Sequence, residues 1–230
     1  MLTGLILAAT LATTPGEAPS QADLKAHNIE IVPKATGAPG IFSVQEDGTI
    51  RHIQSGMICP ADFPNVHFLS LQIYKSAAVG DDVGCDYGRS GPDGRAVSKL
   101  TIFATRAPAD ATLDAAFAHY KQEIVNQYPG AAEVPAALHI QDPQTGKDRT
   151  DYRATGYTVS ANGVPRHTEL ITALWGQWVL EVRATYPSAI IMVEKDTSQQ
   201  ELAEKLFDIK SPYLVFMSAS RSLGAVGLDP

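Results

Sequence analysis

The stretch from Tyr152 to Tyr186 reads YRATGYTVSANGVPRHTELITALWGQWVLEVRATY. Two short turn signals interrupt it. Asn162-Gly163 suits a type I′ turn, in which both central residues take positive φ, and Gly176-Gln177 places glycine first, as type II′ requires. Turns of two residues dictate register, so the pairing follows by counting outward. The second turn sets Trp175 against Trp178, Ala173 against Leu180 and Ile171 against Val182 on one face. The other face receives Thr172 with Glu181 and Leu170 with Arg183. One side is apolar and the other mixed. A three-stranded antiparallel meander is predicted, with Pro165 marking an irregularity beside the first turn.

Toward the N-terminus, Leu113, Phe117, Tyr120, Ile124 and Tyr128 recur at helical spacing and Pro129-Gly130 ends the run. This predicts an amphipathic helix. Before it, 82–87 and 97–105 read as strands joined by a turn-rich loop, and Leu69, Leu71 and Ile73 alternate with Ser70, Gln72 and Tyr74 as another. Asp47-Gly48 between two apolar runs signals a further hairpin. Toward the C-terminus, Ser198 and Glu201 match a capping box, and Leu202, Leu206 and Ile209 form the stripe of a second helix. The apolar runs 189–193 and 213–217 fit either strand or helix. The expected fold class is α+β: a largely antiparallel twisted sheet of hairpins and a meander, covered by two helices.

The chain has 230 residues, 44% of them hydrophobic and 19% charged. That suits one folded domain over 41–230, long enough to bury its own core. Eighteen Lys and Arg against 25 Asp and Glu give a net charge of −7, and the pI is about 5.3. A nucleic-acid partner is excluded on that balance. Leu2–Ala12 is an apolar run too short to span a bilayer, of the size of a secretory signal core. No basic residue precedes it, and the first is Lys25. Residues 1–22 are expected to be a signal peptide and 23–40 an extended arm or linker. No transmembrane segment is expected after leader removal, which makes the protein periplasmic or secreted.

Cys59 and Cys85 are the two cysteines. In an exported chain the simplest reading is one disulfide. A zinc site would need two more ligands at characteristic spacing, and a thiol nucleophile would need a neighbouring base. Around them stand Gly56-Met57-Ile58-Cys59-Pro60 and Gly80-Asp81-Asp82-Val83-Gly84-Cys85-Asp86-Tyr87, followed by Lys99-Leu100-Thr101-Ile102-Phe103. This arrangement resembles a CP…GxDxxCxY pattern in uncharacterised bacterial exported proteins, which implies export and no assigned activity. The order of elements after residue 97 resembles the PsbP-like fold, in which helices cover a twisted antiparallel sheet. That resemblance implies an architecture and lends no function.

The common catalytic signatures are absent: no G-x-S-x-G, G-x-G-x-x-G, P-loop or H-E-x-x-H occurs. Asp81, Asp82, Asp86 and Asp93 lack calcium-loop spacing and read as solvated hairpin carboxylates. The six histidines lack ligand spacing, and His119 falls off the helical stripe. No metal or cofactor is expected. His167 alone gains from the register, which sets it opposite Tyr186 with Glu169 two residues along and small Gly156 and Ala184 beside that carboxylate. His167, Glu169 and Tyr186 are the catalytic candidates, expected as one cluster on the helix-covered face. Trp175, Trp178 and Tyr120 are candidates to stack on an apolar ligand. The expected function is a non-enzymatic binding or accessory module of the bacterial envelope, whose partner is an envelope protein or a small molecule. A hydrolase using the His/Glu/Tyr patch, or a carrier of a small apolar ligand, stands as the alternative.

Overall fold

Asn162 and Gly163 both take positive φ, 53° and 76°, and Gly176 takes 55°. Both turns therefore form with two residues, and the register counted from them holds throughout. Trp178 pairs with Trp175, Leu180 with Ala173 and Tyr186 with His167, while Gly156 pairs with Glu169 and Thr158 with His167. A computed structural model describes residues 40–60, 67–76, 78–90, 96–137, 139–140, 147–188 and 216.

The small N-terminal sheet consists of β1 (Phe42–Val44), β2 (Ile50–His52) and β3 (Ile58–Cys59), paired in that order. The large sheet has seven strands: β4 (His67–Ile73), β5 (Asp82–Ser90), β6 (Ala96–Arg106), β7 (Ala132–Val134), β8 (Tyr152–Ala161), β9 (Val164–Trp175) and β10 (Trp178–Pro187). Their order is β4-β5-β6-β10-β9-β8-β7, all neighbours antiparallel. The helix α1 (Leu113–Gln127) carries the chain from β6 across the sheet to β7 at the far edge. The meander then returns, so that β10 closes onto β6. Thr112 caps α1, its hydroxyl accepting the Ala115 N–H at 3.2 Å, and Gly130 at φ 88° follows the helix end.

Period-two alternation gives the large sheet two unlike faces. One carries Val83, Cys85, Tyr87, Leu100, Ile102, Ala104, Ile171, Ala173, Leu180 and Val182, all buried in a cluster with Ile41, Phe42, Ile50 and Met57 of the small sheet and with Phe216. The other carries Leu170, Val179, Tyr157 and Val159, on which Tyr120 and Ile124 of α1 rest. This corrects the expected architecture of one sheet under two helices. The described residues form two sheets and one helix of defined extent, α1, with Phe216 helical as well. The small sheet takes the wide apolar face because it offers a matching surface. The narrow stripe of α1 needs only the apolar patch within the mixed face. The second expected helix, from Ser198, lies outside the described residues, as do 189–193, all of 213–217 except Phe216, and 1–39 of the expected leader and arm.

Two local expectations also change. The register shifts between Phe68 and Ser70, so Leu69 is turned out, 58% exposed, while Phe68 and Leu71 are buried. A bulge adds a residue and switches the face of what precedes it, which simple alternation misses. Asp86 is buried rather than solvated, accepting from Thr101 Oγ1 at 2.7 Å and Gln72 Nε2 at 3.1 Å, with Lys99 Nζ at 3.5 Å.

Candidate ligand-binding cleft

The structure brings His167, Glu169 and Tyr186 together. His167 Nε2 lies 2.8 Å from Glu169 Oε2, and its ring lies 5.0 Å from that of Tyr186. Glu169 Oε1 also accepts the Ala137 N–H at 3.0 Å. The cluster lies on the face opposite α1, since odd-numbered residues of β9 share a side with Ile171 and Ala173 while α1 rests on Leu170. The expectation that it sits under the helix is corrected, because α1 docks on the mixed face. All three residues are at most 1% exposed, so the cluster offers no open surface to a substrate. Its geometry is that of a buried, hydrogen-bonded polar pair in the core.

Trp175 and Trp178 lie side by side on the same face as that cluster, half-buried at the edge of the main core. Trp178 meets His52 edge-on at 5.2 Å and carries the Arg106 guanidinium 4.5 Å above its ring. Trp175 stacks on Phe216 at 5.9 Å. Tyr120 packs under α1 on the other face, so the sheet separates it from the two tryptophans. These three do not converge on one ligand. Cys59 of β3 and Cys85 of β5 stand at disulfide distance, with Cα atoms 6.1 Å apart. The bond ties the small sheet to the large one.

The residues that do converge on open space lie where α1 leaves the mixed face uncovered. Tyr74, Asp82, Phe103, Thr105, His119, Tyr120, Glu123, Glu181 and Arg183 surround a cavity of about 300 Å³. The register explains the gathering. Asp82 pairs with Thr105 and Gly84 with Phe103 on β5 and β6, and Phe103 pairs with Glu181 on β10. Gly84 leaves room for the Tyr74 and Phe103 rings, whose centroids are 5.9 Å apart. A Cβ there would stand 3.3 Å from Phe103 and 3.4 Å from Tyr74. From the helix, the i, i+4 pair His119 and Glu123 approach each other at 3.3 Å at the mouth.

Arg183 holds the helix to the sheet here. Its Nε and Nη2 reach Glu181 Oε1 at 2.9 and 2.6 Å, Nη2 reaches Glu123 Oε2 at 3.1 Å, and Nη1 reaches Gln127 Oε1 at 3.3 Å. Both contacts to Glu181 fall on Oε1. Oε2 of this carboxylate, in a residue 2% exposed, has no protein donor. Burial pushes the Glu181 carboxyl up to about 7 against the pull of Arg183, with the charges of Glu123 and Asp82 adding to the rise. Asp82 is also raised by burial, against the Thr105 hydroxyl that donates to it at 3.0 Å. Tyr74 is pushed up to about 12 by burial and by the surrounding carboxylates, and Tyr120 is raised for the same reasons. Groups displaced in this way around a cleft mark a candidate site.

Two chambers adjoin the cavity. One, of about 480 Å³, shares Thr105, His119 and Tyr120 with it and is walled by Ala111, Ala115, Ala116 and Val179. The other, of about 400 Å³, shares Phe103 and Arg183 and brings in Lys99 and Arg166. The cleft thus runs along α1 from an apolar end, through an acidic middle, to a basic end. The sequence reading paired Glu181 with Thr172 and Arg183 with Leu170, yet assigned them no role. The available signal was two ionisable residues at successive same-face positions on the mixed side of β10. Among the described residues no helix is long and apolar enough to cross a membrane. No family model and no curated protein matches the chain.

Proposed function

We propose that this chain is an exported, non-enzymatic binding module that holds a small ligand in the cleft beside α1. Export rests on the apolar leader and on the likeness of the cysteine pattern to bacterial exported proteins, and the Cys59–Cys85 pair is compatible with it. One observation carries the binding reading. A cavity of about 300 Å³ is lined by the buried Glu181 with an oxygen that no protein group satisfies. A carboxylate oxygen that faces a cavity and is not used by Arg183 is free to accept a hydrogen bond from a ligand donor. The experiment is a fragment screen read by amide chemical shifts of the full chain. Binders are expected to move the amides of Asp82, Phe103, Thr105, His119 and Tyr120 together. Hits confined to other surfaces, or no hits, would remove the assignment.

A further inference from the structure

We infer that the cleft takes a monocationic amine with an apolar body, its ammonium against Glu181 and Asp82 between the rings of Tyr74 and Tyr120, its body in the alanine-walled chamber. This names the ligand class of the binding site proposed above and rests on that reading. The first ground is charge. Three carboxylates, Asp82, Glu123 and Glu181, face the cavity against one guanidinium, and that guanidinium is already engaged by Glu181 Oε1, Glu123 and Gln127. The second ground is independent of charge. Both Arg183 contacts of Glu181 fall on Oε1, while the side chain lines the cavity, so its Oε2 is open to that space and an ammonium N–H can donate to it with the complementary sign.

The aromatic lining narrows the cation. Tyr74, Phe103 and Tyr120 present ring surface to the same space, and ring faces attract an organic ammonium while contributing no fixed coordination sphere. Among the described residues, no group of three or more His, Cys, Asp or Glu is placed to hold a metal ion. The adjoining chambers then decide the rest of the ligand. A second positive charge extending toward β6 and β10 would meet Lys99, Arg166 and Arg183, and like charges repel there. Extension the other way meets Ala111, Ala115 and Val179 in a chamber of about 480 Å³. That wall rewards burial of hydrocarbon. One charge at the head and an apolar body is the pattern that satisfies both ends.

The test titrates 2-phenylethylamine, 2-phenylethanol and spermidine into the full chain, above the pH at which Glu181 titrates, with amide shifts and calorimetry as readouts. The amine is expected to move the cleft amides and to bind about tenfold more tightly than either of the others. Glu181→Gln and Asp82→Asn, two near-isosteric changes in separate strands, should each weaken the amine about tenfold and leave the alcohol unchanged. If the alcohol binds in the cleft as tightly as the amine, the ammonium assignment is wrong while the binding reading stands. Tightest binding by spermidine would overturn the single charge. If the fragment screen finds cleft binders and none of these three moves the cleft amides, the ligand class falls alone.

Discussion

The imidazole of His167 occupies the space that a side chain at Gly156 would need. A Cβ built on Gly156 comes within 2.6 Å of His167 Cε1 and 2.9 Å of Nε2, with the Pro135 carbonyl oxygen at 3.1 Å. The glycine, paired with Glu169 across β8 and β9, is what lets the ring lie flat over the strand and reach Glu169.

Gly156→Ala should therefore displace His167 and break its 2.8 Å contact with Glu169, leaving a buried carboxylate short of a partner. The expected cost is about 2–4 kcal/mol in urea unfolding, from overpacking together with the lost hydrogen bond. In a His167→Ala background the same change should cost much less, because the obstructing ring is gone. Equal costs in the two backgrounds would show that the contact does not govern stability there.

Two buried groups on opposite faces titrate with opposite consequences. Glu181 is raised to about 7, chiefly by burial, with Arg183, Glu123 and Asp82 as its charged neighbours. The folded state holds its proton more tightly than the unfolded chain does, so its contribution is full below about pH 4.5 and is lost as pH rises toward 7. His52 is lowered to about 4, first by burial and then by Arg106, with Asp81 opposing. Its unfolded form takes up a proton at higher pH, so the folded state loses stability as pH falls from about 6.5 to 4. Each effect amounts to roughly 3 kcal/mol, and the two nearly cancel. The wild-type stability should be nearly flat between about pH 4.5 and 6.5. Glu181→Gln should rise with pH across that window, and His52→Gln should fall. Superimposable pH profiles for the three proteins would contradict this balance.

Closing a loop with sequence separation 26, the Cys59–Cys85 bond should stabilise the fold by roughly 3.5 kcal/mol on the chain-entropy account. Its removal in Cys59→Ser/Cys85→Ser should loosen the small sheet first, since β1–β3 are otherwise held to the large sheet by packing and by a few side-chain hydrogen bonds, such as Tyr87 Oη to the Pro60 carbonyl and Arg106 Nη2 to Gln54 Oε1. Amide exchange is expected to quicken over Phe42–Cys59 before the β9 and β10 amides respond. Uniform acceleration across both sheets would mean that they unfold as one unit.

Trp178 is half-buried, with one face under the Arg106 guanidinium and an edge contact to His52. Trp178→Ala should cost about 2–3 kcal/mol, below the range for a fully buried aromatic. Trp178→Phe should recover about half of that. An unchanged urea midpoint in the alanine variant would place the ring outside the core edge.

Reading the sequence alone determined the pairing of β8, β9 and β10, because Asn162-Gly163 and Gly176-Gln177 are local signals whose backbone requirements few other residues meet. The end of α1 and the β1–β2 hairpin followed for the same reason: the Pro129-Gly130 breaker and the Asp47-Gly48 turn each act within a few residues of themselves. The juxtaposition of His167, Glu169 and Tyr186 was likewise legible, since register fixes it once the turns are known.

Only the tertiary structure decided which face each neighbour covers. Alternation along β9 and β10 distinguishes two faces but does not say which receives a helix and which a second sheet. That choice depends on the small sheet, whose Ile50 and Met57 complete the apolar core from a hundred residues away. The cleft depends on the same choice. Glu181 and Arg183 face α1 because the helix crosses the mixed face, and Asp82 and Tyr74 join them because β10 closes against β6. Such contacts are made by pieces of chain distant in sequence, and they follow from the free energy of packing whole faces together, which no single segment encodes.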